Sequence, residues 1–149
     1  MDDAQLKKRD ESIAEISSRL GVRAERGRRF AELTSLRVGG SIDWVISPQT
    51  EEQAAAIVHE LEKAGIGWRA LGSGSNVLAD DGEHHYVVLA LKDLKGEVRF
   101  DGELVHVSAG YSLPRLCIDV ARGFRSWPDA PARIDSSCLS GSWGNDLRL

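Results

Sequence analysis

The strongest constraint in this chain is an order of elements, strand, helix, strand and glycine–serine turn, between Ile42 and Asn76. Ile42-Asp43-Trp44-Val45-Ile46 reads as a strand closed by the turn residues Ser47-Pro48. Thr50-Glu51-Glu52-Gln53 has the form of a capping box, in which the Thr50 hydroxyl serves a free N–H and Gln53 reaches back. The helix it opens carries Ala54, Ile57, Val58 and Leu61 on its inward side and runs to Lys63-Ala64, with Gly65 as its stop. Trp68-Arg69-Ala70-Leu71 is the second strand. Such a unit needs a right-handed crossover, and its ligand crevice lies at the carboxyl end of the strand. Residues 72–76 fall at that end.

Leu71-Gly72-Ser73-Gly74-Ser75-Asn76-Val77-Leu78 is therefore the candidate site. Gly72 and Gly74 permit positive φ and a close approach to the backbone. The turn can aim successive N–H groups at one point, a nest for an anion such as a pyrophosphate, and Ser73, Ser75 and Asn76 add short donors. On pattern alone a plain turn between strands is the commoner outcome, and both readings stand. The dinucleotide fingerprint is excluded, because the third glycine and the helix start are missing and Val77-Leu78-Ala79 reads as a strand.

Around this centre the chain is legible in parts. Asp3 to Leu20 reads as an amphipathic helix with Leu6, Ile13, Ile16 and Leu20 in its stripe and Gly21 as its stop. Arg19, Arg23, Arg26, Arg28 and Arg29 form a basic cluster, read as a solvated helix end and loop in preference to an anion-docking surface. Leu33 to Gly40 reads as an extended piece ending in a double glycine, either a tight turn or a second place of close approach. Asp80-Asp81-Gly82-Glu83 is a polar turn, and with His84 and His85 it matches no metal spacing. His59 reads as a partly exposed structural histidine.

Tyr86 to Leu91 is a buried strand, and Glu97–Phe100 with Leu104–Val107 a hairpin turning at Asp101-Gly102. Ser108-Ala109-Gly110 is a second small-residue segment. Ser112 caps a helix with Pro114 in its first turn, running to Gly123 through Leu116, Ile118 and Val120, with Cys117 read as a buried core thiol. After Phe124 no periodicity survives.

Composition limits the functions available. The 149 residues carry a net charge of −4, which leaves no excess of Lys and Arg for general nucleic-acid binding. No apolar run could span a bilayer, the first residues are acidic and polar, and the two cysteines make no framework. These features point to a cytoplasmic protein with no signal peptide, no metal and no membrane partner.

Taken in order, Thr34-Ser35-Leu36-Arg37-Val38-Gly39-Gly40, the Thr50 helix, Leu71–Leu78 and Val107-Ser108-Ala109-Gly110 resemble the UDP-N-acetylenolpyruvoylglucosamine reductases (UDP-N-acetylmuramate dehydrogenases), over about residues 30 to 124. The resemblance implies an α+β fold: an FAD-binding module of the PCMH type, a βαβ subdomain followed by a second strand-rich subdomain, here truncated. It divides the chain into an N-terminal helix and basic loop (1–29), a partial FAD-binding domain (30–124) and a non-family, disordered tail (125–149).

It further implies that Leu71, Gly72, Ser73, Gly74, Ser75 and Asn76 hold the FAD pyrophosphate, with Val38, Gly39, Gly40, Ala109 and Gly110 lining the same cleft. In the family, NADPH reduces FAD and the flavin passes a hydride to UDP-N-acetylglucosamine enolpyruvate, a small-molecule substrate of peptidoglycan precursor synthesis. The family's serine, arginine and glutamate lie beyond the matched region, so no catalytic residue carries over, and Ser136 and Ser137 are not assigned the serine's role.

Where the family continues with a Leu-Ala-Gly-Ile-Pro-Gly segment, this chain has Ser126-Trp127-Pro128-Asp129-Ala130-Pro131-Ala132. Read in the next frame, Trp127 to Ala132 can spell Leu-Ala-Gly, then Arg or Cys, then Pro-Gly, which suggests a frame slip near Phe124. The leading expectation is thus the N-terminal part of such a reductase, inactive as this chain. The alternatives are a stand-alone nucleotide- or protein-binding module with Trp127 and Trp143 as anchors, and an oxidase with covalently held flavin. The second is weakened because residues 72–76 contain no histidine.

Overall fold

A computed structural model describes residues 3–101 and 104–123, and the chain divides into two compact units, one up to Asp93 and one from Leu94. The tail from 125 onward, with Trp127, Ser136, Ser137 and Trp143, lies outside the described residues, as do Gly102 and Glu103.

The first unit contains α1 (Asp3–Leu20), β1 (Arg23–Arg26), α2 (Phe30–Leu33), β2 (Ile42–Ser47), α3 (Glu51–Lys63), β3 (Trp68–Leu71) and β4 (His84–Ala90). Helix α3 begins as its sequence predicts: the Gln53 N–H donates to Thr50 Oγ1 at 3.3 Å. The Gln53 side chain reaches one residue past the cap, where its Oε1 accepts from the Gln49 N–H at 2.9 Å. Ile57 and Leu61 are fully buried on its inner face; α1 packs against α3 and buries its own Ile13 and Ile16. Burying side chains of this size contributes about 1.5–3 kcal/mol each.

The four strands order as β1-β2-β4-β3, with β1 antiparallel to β2 and β2, β4 and β3 mutually parallel. Strands β2 and β3, joined through α3, are therefore not neighbours, because β4 lies between them. Phe30, Leu33, Ile42, Val45, Leu71, Ala79, Val88 and Ala90 form one core cluster on one side of the sheet. The intervening residues face the other way, where Trp44 Nε1 donates to Asp10 Oδ1 of α1 at 2.8 Å.

Several sequence expectations are corrected. Val77-Leu78-Ala79 is not a strand. Because β3 and β4 are parallel, residues 72–83 must return from the carboxyl end of β3 to the amino end of β4, and they do so as irregular chain. Ala79 is buried on this path while Leu78 is 69% exposed. The extended piece from Leu33 is instead the end of a one-turn helix, α2, followed by a turn. The arginine loop contains strand β1, whose register runs from Arg23↔Ser47 to Arg26↔Trp44. Four of its five arginines are paired: Arg19 with Glu60, Arg23 with Glu25, Arg26 with Asp10, and Arg28 with both Glu25 and Glu32. His84 opens β4 two residues earlier than expected and is buried instead of solvated.

The second unit is a hairpin of β5 (Val98–Asp101) and β6 (Leu104–Val107) followed by α4 (Leu113–Gly123). Asp101 already pairs with Leu104, so it belongs to the strand and not to the turn. Val105, Val107 and Leu116 form the core, with Val98, Tyr111 and Val120 against it. Leu116 thus sets the inward face of α4, and Cys117, one residue on, is an exposed free thiol and not a core thiol.

Among the described residues, no helix is long and apolar enough to cross a membrane, and no group of three or more His, Cys, Asp or Glu could hold a metal ion.

Candidate functional site

The loop leaving β3 is held from behind and open in front. Leu71, at its root, is buried, and its carbonyl accepts from the Leu91 N–H at 2.8 Å. Gly74 is buried with φ +65°, and a Cβ there would stand 2.3 Å from the Leu33 carbonyl oxygen and 3.0 Å from Thr34 Cα. Only glycine lets the loop lie this close to the end of α2, where the Ser35 N–H donates to the Gly74 carbonyl at 3.0 Å. Gly72, Ser73, Ser75 and Asn76 are exposed. A Cβ on Gly72 would meet nothing within 4 Å.

The N–H groups from Gly72 to Asn76 donate to no carbonyl or side chain among the described residues; the loop's one side-chain bond joins the Ser73 and Ser75 hydroxyls at 3.2 Å. Five consecutive unclaimed N–H groups, four of them on exposed residues and two on glycines, are the kind of donor row from which a backbone anion nest is built.

The double glycine runs beside the same loop. The Gly40 N–H donates to the Asp80 carbonyl at 2.7 Å, and the Gly40 and Gly39 carbonyls accept from Phe30 and Ala31 at 3.0 and 3.3 Å. A Cβ on Gly40 would fall 1.8 Å from the Gly82 carbonyl oxygen, and one on Gly39 2.7 Å from Phe30 Cβ and 2.8 Å from Ala79 Cβ. The close approach read from this doublet is real, and its partner is the chain's own 79–82 segment. Val38 is exposed just before it. The chain around the doublet and the chain leaving β3 are bonded at Ser35–Gly74 and at Gly40–Asp80. Ala109 and Gly110 occupy a turn of the second unit, closed by the Tyr111 N–H on the Ser108 carbonyl at 2.9 Å.

Sequence reasoning gave three members of this neighbourhood no role in the site. Arg37 adopts φ 54° although it is not glycine, a conformation costing about 1–2 kcal/mol, and it is exposed with no ion pair among the described residues. His84 lies beneath the glycine doublet with its ring edge-on to Phe30, centroids 4.7 Å apart. Tyr86 completes this floor; burial pushes its phenol up, Arg69 opposes the shift and Asp80 adds to it. No local pattern marks these three.

Residues 42–146 match the FAD binding domain family. The chain is similar to the UDP-N-acetylenolpyruvoylglucosamine reductase of Bacillus licheniformis, 32% identical over 120 residues that make up 76% of this chain and 40% of the relative. The reductase of the same name from Alkaliphilus metalliredigens is 29% identical over 121 residues, 77% of this chain and 40% of the relative. Among solved structures, a cholesterol oxidase from Brevibacterium sterolicum aligns with a TM-score of 0.48 at 16% identity, covering 68% of this chain and 20% of that one. The chain spans about 40% of the length of the curated relatives it matches. It belongs to the FAD binding domain family, with an α+β fold and FAD as its cofactor, and its matched part is similar to the N-terminal FAD-binding part of UDP-N-acetylenolpyruvoylglucosamine reductases.

Proposed function

We propose that Gly72–Asn76 receive the pyrophosphate of FAD, and that the chain is the cofactor-binding N-terminal part of a reductase acting on UDP-N-acetylglucosamine enolpyruvate with NADPH. The observation that carries this reading is the row of five unclaimed N–H groups beside the open face of Gly72. A diphosphate fits this donor set, since it presents only acceptors. The uncompensated Arg37 guanidinium adds the matching charge from the neighbouring loop. Val38 and the Gly39–Gly40 backbone form the second wall, and Leu36, Val38 and Leu78 supply exposed apolar surface beside it. Ala109 and Gly110 are proposed cofactor-binding residues within their own unit.

Bound FAD supplies the hydride chemistry of such a reductase. The described residues bind and orient the cofactor, and none is assigned a proton or a substrate contact. The chain as it stands is therefore proposed to bind FAD weakly and to lack reductase activity. The residues after Phe124 are proposed to arise from a frame slip, which sequencing the gene across that codon tests.

Titration of FAD by quenching of its fluorescence tests the binding reading. Saturable quenching that weakens with salt and in Arg37→Gln supports it. No quenching at any concentration, or equal affinity in Arg37→Gln, overturns it.

A further inference from the structure

The described part of the first unit holds a buried histidine that the cofactor reading does not use. His84 is 8% exposed, and both of its ring nitrogens have partners. Nε2 lies 3.3 Å from the Asp80 carbonyl oxygen, the same oxygen that accepts the Gly40 N–H at 2.7 Å. Nδ1 lies 3.3 Å from the Tyr86 hydroxyl. Phe30 stands against the ring, and the Phe30 N–H donates to the Gly40 carbonyl. The His84 N–H itself donates to the Ser41 carbonyl at 2.8 Å. One imidazole therefore touches the crossing segment, the α2 helix and Tyr86 of its own strand, while the His84 backbone is tied to Ser41.

These partners select a tautomer. Asp80 offers a carbonyl, which can only accept, so Nε2 carries the hydrogen. Nδ1 is then free to accept from Tyr86, whose phenol burial keeps protonated. Protonation would put a hydrogen on Nδ1 as well, so the Tyr86 hydroxyl must turn its hydrogen away and accept. The cation would also face the Asp80 carboxylate, whose Oδ1 is 3.7 Å from Nε2 and already accepts the Gly82 N–H at 2.7 Å. The titratable groups against the ring are Asp80 from the crossing segment and Tyr86 from its own strand. The α2 side offers only Phe30, and the Ser41 side a backbone carbonyl.

We propose that His84 is a positioning residue whose protonation state sets how the Gly39–Gly40 doublet and the Gly72–Asp80 crossing lie against each other. The consequence for FAD affinity rests on the cofactor reading above; the loop coupling does not.

The test is a pH titration of the ¹⁵N-labelled chain between about pH 5 and 8, the range in which an imidazole changes charge. The His84 ring and the Gly40 and Gly82 amides are expected to shift with one shared midpoint. In His84→Gln, which keeps a donor toward Asp80, the amide titration is lost. Tyr86→Phe, which alters only the group on Nδ1, moves the midpoint and provides a second variant. Flat amides in the wild type, or an amide titration unchanged in both variants, overturn the proposal. FAD titrations at both ends of the range separate the two readings. Absence of FAD binding at either pH with the amide titration intact refutes the cofactor reading alone. FAD binding with an affinity equal at both pH values refutes His84 as a positioning residue for that site.

Discussion

Gly74 and Gly72 lie two residues apart in one loop, and the structure predicts opposite outcomes for the same substitution. Gly74→Ala places an L-residue at φ +65°, which costs about 1–2 kcal/mol. Its Cβ would also stand 2.3 Å from the Leu33 carbonyl oxygen and 3.0 Å from Thr34 Cα. Both are backbone atoms and cannot rotate away, so the loop must separate from α2. That loses the Ser35 N–H to Gly74 carbonyl bond, about another 1 kcal/mol. The sum is about 2–3 kcal/mol, a large part of the roughly 5–15 kcal/mol that holds a domain folded.

Gly72 is not among the positive-φ residues, and its Cβ would meet nothing within 4 Å. Gly72→Ala should leave stability unchanged or raise it by up to about 1 kcal/mol, because alanine restricts the unfolded chain. Urea unfolding followed by tryptophan fluorescence, with Trp44 buried in the first unit as reporter, measures both. A Gly74→Ala midpoint equal to wild type, or an equal loss in Gly72→Ala, would refute the division of the loop into a packed back and an open front.

Two further outcomes follow from the scaffold. Thr50→Ala removes the acceptor of the Gln53 N–H at the start of α3 and should cost about 1 kcal/mol in the same urea assay, with Thr50→Ser restoring most of it. For Glu25, burial works against the charged form, yet the Arg23 and Arg28 guanidiniums outweigh it and hold the carboxyl below the usual range. Its contribution is therefore full above the ordinary carboxylate value of about 4.3 and is lost as pH falls through the lower folded value; Glu25→Gln should flatten that part of the acid unfolding curve.

The elements with a periodic apolar face were legible: α1, β2, α3, β3, the hairpin and α4 lie where their patterns place them, to within a residue or two. Strand β1 was not, because Arg-Ala-Glu-Arg has no apolar face; pairing to the free edge of β2 makes it a strand, and its charges find partners only in the fold. Val77–Ala79 has strand composition, but parallel pairing of β3 with β4 requires that stretch as the return path. Cys117 was misplaced because an apolar neighbourhood in sequence does not say which side of a helix is inward; Leu116 and Val120 decide that.

The glycine loops were legible as places of close approach. What approaches Gly39, Gly40 and Gly74 is the chain itself, and Gly72 alone among these four faces open space. That distinction depends on the crossing segment's path, which no local pattern encodes. The same path buries His84 and brings Asp80 to Gly40, so the floor of the site was invisible from sequence.

The most direct measurement of the central claim is an amide spectrum of the ¹⁵N-labelled chain recorded while FAD is added. If Gly72–Asn76 cradle the pyrophosphate, the amides from Gly72 to Asn76 shift together and saturably, and inorganic pyrophosphate moves the same set. If FAD leaves those five amides unmoved while shifting others, the loop is a turn and the cofactor binds elsewhere.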